Sequence, residues 1–140
     1  MTTPAPKPAP AADPATLEYW DAARRGELRI PLCADCDRHH MYPRTVCPHC
    51  GSARLLWTAS RGTGEVYSFT VVHRAPSPAF EGDLPYVVAV VQLDEGPHLM
   101  TNLVEVEPDA VRVGLRVRVA FRDAGDAGAR VPVFAPDAPR

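Results

Sequence analysis

Four cysteines are the residues most able to do chemistry in this chain. They lie between positions 33 and 50 as two C-x-x-C pairs, "CADC" and "CPHC", separated by ten residues. A C-x-x-C turn directs two thiolates at one ion, and two such turns supply the tetrahedral sulfur set that zinc prefers. We therefore predict a structural zinc site at Cys33, Cys36, Cys47 and Cys50, since four thiolates leave no position open for a reacting water. Iron in a rubredoxin-like site and a pair of disulfides are the alternatives.

The residues that follow each pair support two tight metal-binding turns. Gly51 follows the second pair, where such a turn often requires a positive φ. Asp37 takes the equivalent place after the first pair, and Asp tolerates the left-handed region better than most residues. Three histidines lie beside the cysteines and are expected at the surface or around the metal site: His39, His40 and His49.

No catalytic residue is predicted elsewhere. An acid–base pair drawn from His73, His98, Asp94 and Glu95 is conceivable, but the pattern favours ordinary strand and turn positions for them. The segment "RGTGE" at 61–65 is too weak a signal for a phosphate-binding loop. All four cysteines are assigned to metal, so we predict that the chain is not an enzyme by itself.

Composition limits the partner classes. The chain has 140 residues, 15 Lys and Arg against 17 Asp and Glu, and a net charge of -2. This balance argues against nucleic-acid binding by bulk phosphate attraction. The first ten residues, "MTTPAPKPAP", lack the apolar region of a secretory signal, and no stretch is long enough to cross a bilayer. We therefore expect a cytoplasmic protein with reduced thiols and no membrane partner.

The sequence predicts five segments along the chain. Residues 14–28 form a helix, with Asp13 as N-cap, Pro14 in the first position and Gly26 as C-cap, and with Leu17 and Trp20 on one face. The other predicted segments are a disordered tail (1–13), the zinc ribbon (29–57), whose ten-residue spacer is long enough for a small hairpin, a barrel (58–135) and a second tail (136–140).

Alternation of apolar and polar residues predicts the barrel. Five strands are expected, near 65–74, 85–96, 98–106, 115–122 and 130–134. A closed antiparallel barrel is the economical arrangement because closure removes exposed edges. The proline-rich segment 74–85 is a predicted surface loop.

The order of these motifs resembles a known family. The segments "YWDAARRGELRIPLC", the cysteine cluster, "GTGEVYSFTVVHR", "PYVVAVVQLDEG" and "LMTNLV" are similar to the DUF35 family of zinc-ribbon plus OB-fold proteins over residues 17–135. The resemblance implies a mainly β chain with an N-terminal helix, a rubredoxin-like zinc ribbon and a C-terminal OB-fold barrel of five antiparallel strands. It also implies a non-catalytic accessory subunit that binds a thiolase-fold enzyme, such as a thiolase or a lipid-transfer-protein-like aldolase of steroid degradation, and helps hold acyl-CoA.

That expectation selects candidate contact residues. Coenzyme A carries phosphates, so a surface that holds it needs fixed positive charge. The preferred set lies on the ribbon and the barrel entry: Arg38, Arg44, Arg54 and Arg61. The alternative set is the stripe Arg116, Arg118 and Arg122. The partner is expected to contact Leu17, Tyr19 and Trp20 and the apolar strand at 86–91.

An OB-fold nucleic-acid module is the competing functional hypothesis. Tyr67 and Phe69 lie two residues apart on one predicted strand and could stack on bases. Alternating aromatics in a barrel strand belong more often to the core, and the acidic net charge also argues against this function.

Overall fold

A computed structural model describes residues 6–125 and 128–137. The elements are α1 (Leu17–Arg24), β1 (Arg29–Cys33), β2 (Leu55–Ala59), β3 (Thr63–Val72), β4 (Tyr86–Leu93), β5 (His98–Leu103), β6 (Arg116–Asp123) and β7 (Arg130–Pro136), with 3-10 turns at Pro78–Asp83 and Pro108–Ala110. No helix in these two ranges is long and apolar enough to cross a membrane. The predicted tails lie partly outside the described residues, and the predicted segment boundaries stay a prediction.

The helix is short, and both of its ends are fixed by local hydrogen bonds. Thr16 takes the N-cap position, and Asp13 lies one turn earlier, where its carboxylate accepts a bond of 2.9 Å from the Thr16 amide. At the other end Gly26 has φ 78°, and the amides of Gly26 and of the next residue reach the carbonyls of Ala23 and Ala22. This is a Schellman ending, which glycine favours because it lacks a Cβ. The predicted stop at Gly26 is therefore confirmed.

The buried face of α1 differs from the predicted one. Tyr19, Ala22 and Ala23 are buried where the helix packs against β1 and β7. Leu17 is 52% exposed, and Trp20 is only partly buried, with its ring edge-on to that of Tyr19. Leu17 lies two residues before Tyr19, about 200° around a helix of 3.6 residues per turn, so it faces away from the buried side.

The second half of the chain is a closed barrel with the strand order β3-β4-β5-β7-β6, and β6 pairs with β3 to close it. All five predicted barrel strands are present. The expectation of wholly antiparallel pairing was wrong at one junction: β5 and β7 pair in parallel through Leu103 and Phe134. The reason is parity, because strand direction cannot alternate at every junction around a closed ring of five.

Apolar residues on alternate positions fill the barrel. On β4 the side chains of Val87, Ala89, Val91 and Leu93 are buried, and the residues between them are half-buried. Phe134 of β7 is the largest fully buried side chain. This alternation is the period-two pattern expected of strands with one face on a core.

A β-bulge between Val66 and Ser68 changes the direction of the aromatic side chains on β3. Tyr67, the extra residue, is 56% exposed and its ring lies 4.4 Å from the ring of His98. Phe69 is 36% exposed. The interpretation of these aromatics as core residues was wrong, because a bulge adds one residue to a strand and breaks the alternation.

The ribbon rests on a two-stranded sheet that the sequence analysis did not predict. Strand β1 pairs antiparallel with β2, from Arg29 opposite Ala59 to Cys33 opposite Leu55. The ten-residue spacer, although long enough for a small hairpin, forms none in the described structure; its His39 makes one isolated bridge with Leu32 of β1. The hairpin is thus made by the segments that flank the cysteines.

Candidate functional site

The cysteine cluster is built from two similar turns. Cys33 ends β1, and its carbonyl accepts a hydrogen bond of 2.9 Å from the amide of Asp37, which has φ 60°. Cys47 makes the same bond, also 2.9 Å, with the amide of Gly51, which has φ 80°. Both predicted left-handed positions are therefore confirmed.

The sulfur positions fit one tetrahedral ion. The four ligand atoms of Cys33, Cys36, Cys47 and Cys50 all lie within 4.8 Å of one another. The Sγ atoms of Cys33 and Cys50 are 3.6 Å apart, and those of Cys36 and Cys47 are 3.7 Å apart. Zinc–sulfur bonds of about 2.3 Å in a tetrahedron require sulfur–sulfur edges of about 3.8 Å. All four cysteines are free thiols, so the structure contains neither of the two disulfides that were the alternative.

The surroundings of the thiols shift their pKa values in opposite directions. A hydrogen bond from the backbone amide of Cys36 lowers the pKa of Cys33 to about 7. Burial raises the pKa of Cys36 to about 12. Four thiols this close cannot all ionise unless a cation balances the charge, and a bound metal ion does this.

Few side chains of the ribbon are fully buried. Between Ala34 and Arg54 only His40 and Cys47 are buried. At the surface, the carboxylate of Asp35 accepts a hydrogen bond of 2.6 Å from Arg54 and also bonds Ser52. Arg54, one of the predicted ligand residues, is therefore already paired.

A cleft with a volume of about 660 Å³ lies between the ribbon and the β4–β5 turn. Arg38 and Arg44 line it, together with His39, His40, Met41, His49 and the turn residues from Glu95 to His98. Of the four predicted ribbon-side arginines, the cleft thus brings two together. Arg61 lies outside the cleft lining, and its backbone amide bonds Glu95 at 2.7 Å.

His40 is the buried polar residue of this cleft. Its side chain is 3% exposed, and within the described residues neither ring nitrogen has a hydrogen-bond partner. Burial lowers the pKa of His40, and the nearby charges of His49, Arg44 and His39 lower it further. The imidazole is consequently neutral at pH 7.

The acidic residues of the β4–β5 turn have structural partners. Both oxygens of Asp94 accept bonds of 2.9 Å from Arg116, and Thr63 bonds the same carboxylate. These bonds, the one from Arg116 first, lower the pKa of Asp94 to about 2. Glu95 accepts bonds from Ser60 and from the Arg61 amide. Each carboxylate therefore ties the turn to the barrel entry, which leaves neither of them free as a general base.

The alternative arginine stripe divides into two environments. Arg116 and Arg118 are exposed, and each pairs with an aspartate, Asp94 at 2.9 Å and Asp137 at 3.8 Å. Arg122 is half-buried, and no carboxylate lies within 4 Å of it in the described parts of the chain. It lines a cavity that also contains Tyr19 and Trp20.

Two features of the site were missed by the sequence analysis. The Tyr42 hydroxyl accepts a hydrogen bond of 3.0 Å from the backbone amide of Met100, which fastens the ribbon to β5. Glu95 and His98 complete the cleft opposite Arg38. Both features join residues that are more than fifty positions apart, and no local pattern signals such contacts.

The four-cysteine ribbon and the closed five-strand barrel together define the class of zinc-ribbon plus OB-fold proteins. The model of the ChsH2 rubredoxin-like zinc ribbon domain matches residues 20–55, and the model of the ChsH2 C-terminal OB-fold domain matches residues 57–122. A DUF35 domain-containing scaffold protein of Pyrococcus furiosus is 38% identical over 106 residues, which cover 74% of this chain and 76% of the relative. The chain belongs to the DUF35 family.

Two other similar proteins carry enzyme names. A probable enoyl-CoA hydratase alpha subunit of Thermomonospora curvata is 41% identical over 134 residues, or 96% of this chain. The chain spans only 41% of that relative's length. Among solved structures, a chain of the Ltp2-ChsH2(DUF35) aldolase superimposes with a TM-score of 0.81 at 42% identity. The superposition covers 91% of this chain and 98% of the aldolase chain.

A DUF35 protein of Sulfolobus solfataricus superimposes with a TM-score of 0.63 at 15% identity. The superposition covers 90% of this chain and 87% of the Sulfolobus chain. At that identity the match shows the fold alone.

Proposed function

We propose that this chain is a non-catalytic accessory subunit that binds a thiolase-fold enzyme, either a thiolase or a lipid-transfer-protein-like aldolase, and helps hold its acyl-CoA substrate. The main support is the match along 98% of the corresponding chain in the Ltp2-ChsH2(DUF35) aldolase. The scaffold names of relatives in the same family agree with a role in assembly. A cytoplasmic location, where the thiols stay reduced, remains part of the proposal.

Zinc is the proposed cofactor, held by Cys33, Cys36, Cys47 and Cys50. When bound, it would neutralise the thiolates and fix the two turns of the ribbon, a structural contribution. The sulfur spacing supports this assignment. Elemental analysis of tag-free protein should give close to one zinc per chain. An equimolar amount of iron instead would assign a rubredoxin-type centre.

The partner contact is proposed to include Leu17 of α1. This side chain is half-exposed, whereas Tyr19 is buried against the chain's own barrel and Trp20 is partly buried. Co-expression with a thiolase-fold enzyme encoded in the same genome should give one peak on size exclusion at micromolar concentration. Leu17→Glu should separate the two proteins, and Val113→Glu, at a similarly exposed position outside α1, should not. Two separate peaks from the unaltered proteins would contradict the assembly.

The cleft between the ribbon and the β4–β5 turn is the proposed site for the phosphates of acyl-CoA. Arg38 and Arg44 both line it, and the planar guanidinium group matches the geometry of phosphate oxygens. Calorimetry on the assembled complex should show weaker acyl-CoA binding for Arg44→Ala. Arg54→Ala is the matched control, since Arg54 pairs with Asp35 outside the cleft. A loss with Arg118→Ala alone would move the site to the other face of the barrel.

Absence of catalysis is a separate part of the proposal. Asp94 and Glu95 are engaged in structural bonds, and His73 is exposed outside the cleft. The chain alone should turn over no acyl-CoA thioester. Thiolytic, hydrolytic or aldol activity that a point substitution in this chain abolishes would overturn that part.

A nucleic-acid-binding module is the second candidate, because the bulge leaves Tyr67 and Phe69 accessible for base stacking. The net charge of -2 opposes it. An excess of absorbance at 260 nm in purified protein, removed by nuclease and reduced by Tyr67→Ala, would favour this alternative.

A further inference from the structure

A second cavity, of about 310 Å³, lies where α1, the ribbon and the barrel meet. Its wall combines aromatic and aliphatic side chains: Tyr19, Trp20, Tyr42, Leu99, Val131 and Pro132. In the described residues the ladder between β5 and β7 has a single residue pair, Leu103 with Phe134, and residues of both strands line this cavity. The volume is at the lower end of the range for small-molecule sites.

One end of the cavity is polar, and its neutral groups are already satisfied by the protein. The Thr101 hydroxyl donates to the Pro132 carbonyl at 3.2 Å. The Asn102 amide donates to the Val87 carbonyl at 3.1 Å, which fixes its oxygen toward Arg122. The Asn102 oxygen accepts a long bond of 3.4 Å from Nη2 of Arg122.

The guanidinium of Arg122 lacks an anionic partner. Nε of Arg122 is buried with no hydrogen-bond acceptor, and no carboxylate in residues 6–125 or 128–137 lies within 4 Å of the guanidinium. The two other arginines of the same strand each have an aspartate. A half-buried cation beside an apolar wall is stabilised when a carboxylate completes its planar set of donors.

We propose that this cavity binds a small amphipathic carboxylate, with the anion on Arg122 and the apolar body against Trp20, Tyr19 and Leu99. The ligand class follows from the site itself, because the guanidinium lacks an anionic partner and lies next to an apolar wall. The site differs from the cleft lined by Arg38 and Arg44, and the inference does not depend on the proposed function.

Octanoate is a suitable probe, and Trp20 is a built-in reporter because its ring lines the cavity. The measurement uses the full chain with Trp57→Phe, which leaves Trp20 as the single tryptophan. Octanoate should change the Trp20 emission saturably, and octylamine, which has the same chain and the opposite charge, should not. Arg122→Met, which removes the charge and keeps an apolar stem, should weaken octanoate binding about ten-fold or more.

Arg118→Met is the matched control, since Arg118 lies on the same strand but outside this cavity, and it should leave octanoate binding unchanged. The proposal is overturned if octanoate gives no saturable change, if octylamine binds equally well, or if Arg122→Met binds octanoate as the unaltered residue does. Should Arg122→Met fail to fold, the comparison of octanoate with octylamine on the parent chain still decides the question.

Discussion

Metal removal should unfold the ribbon and leave the barrel intact. Only His40 and Cys47 are buried between Ala34 and Arg54, so side-chain burial there contributes a few kcal/mol at most, on the order of 2 per side chain. A bound structural zinc contributes on the order of 10 kcal/mol. The barrel keeps its own core around Phe134. We therefore expect two independent regions once the metal is gone.

Hydrogen exchange followed by mass spectrometry measures this directly. With metal, the amides of Asp37, Cys47 and Gly51 should be protected, because each donates within a ribbon turn. After chelation they should exchange at close to the rate of an unstructured peptide, while β4 stays protected. Added zinc should restore protection, and Cys50→Ser should behave like the chelated protein. Persistent protection of Asp37 and Gly51 in protein shown to be free of metal would refute the reasoning.

Two further predictions concern the barrel. Gly64→Ala should lower the melting temperature by several degrees, because a Cβ there would clash with the backbone oxygen of Gln92. Gly82→Ala is the control, since a Cβ at Gly82 has no atom within 4 Å, and it should leave the melting temperature unchanged. Equal melting temperatures for the two variants would contradict this close packing of β3 on β4. The folded pKa of Asp94 is about 2, below an unfolded value of about 3.9, so its bond to Arg116 stabilises the fold above pH 4 and is lost as pH falls from 4 to 2. Denaturant titration should show that the free energy of unfolding falls by up to about 1 kcal/mol between pH 4 and pH 2, a small value because the pair is accessible to solvent. Asp94→Asn should remove this pH dependence. If the variant keeps the pH dependence of the parent chain, the bond between Asp94 and Arg116 does not stabilise the fold in this way.

The barrel strands and the cysteine turns were predictable because their signals are local. Alternation along β4 and β6 follows from burial of one face, and the left-handed positions at Asp37 and Gly51 follow from the turn that a C-x-x-C pair makes. The predicted stop of α1 at Gly26 has the same local origin.

The missed features depend on tertiary contacts. Strand β1 contains Pro31, and its buried and exposed residues do not alternate. The reason is that both α1 and β2 pack against it. The bulge at Tyr67 depends on register with β4, which the residues of β3 do not encode by themselves. The unpaired state of Arg122 could not be distinguished in the sequence from the paired state of Arg116, because both occupy the same alternating pattern.

The hydrogen bond from Met100 to Tyr42 also protects the strand edge of β5. Beside the short ladder between β5 and β7, an uncovered backbone amide is a template on which another chain can add a strand, and such edges promote aggregation. The phenol ring of Tyr42 occupies that position in the folded chain. Because Tyr42 belongs to the ribbon, loss of the metal would remove this hydrogen bond and expose the edge of β5. Metal-depleted protein should then associate through β5 into oligomers whose size increases with protein concentration.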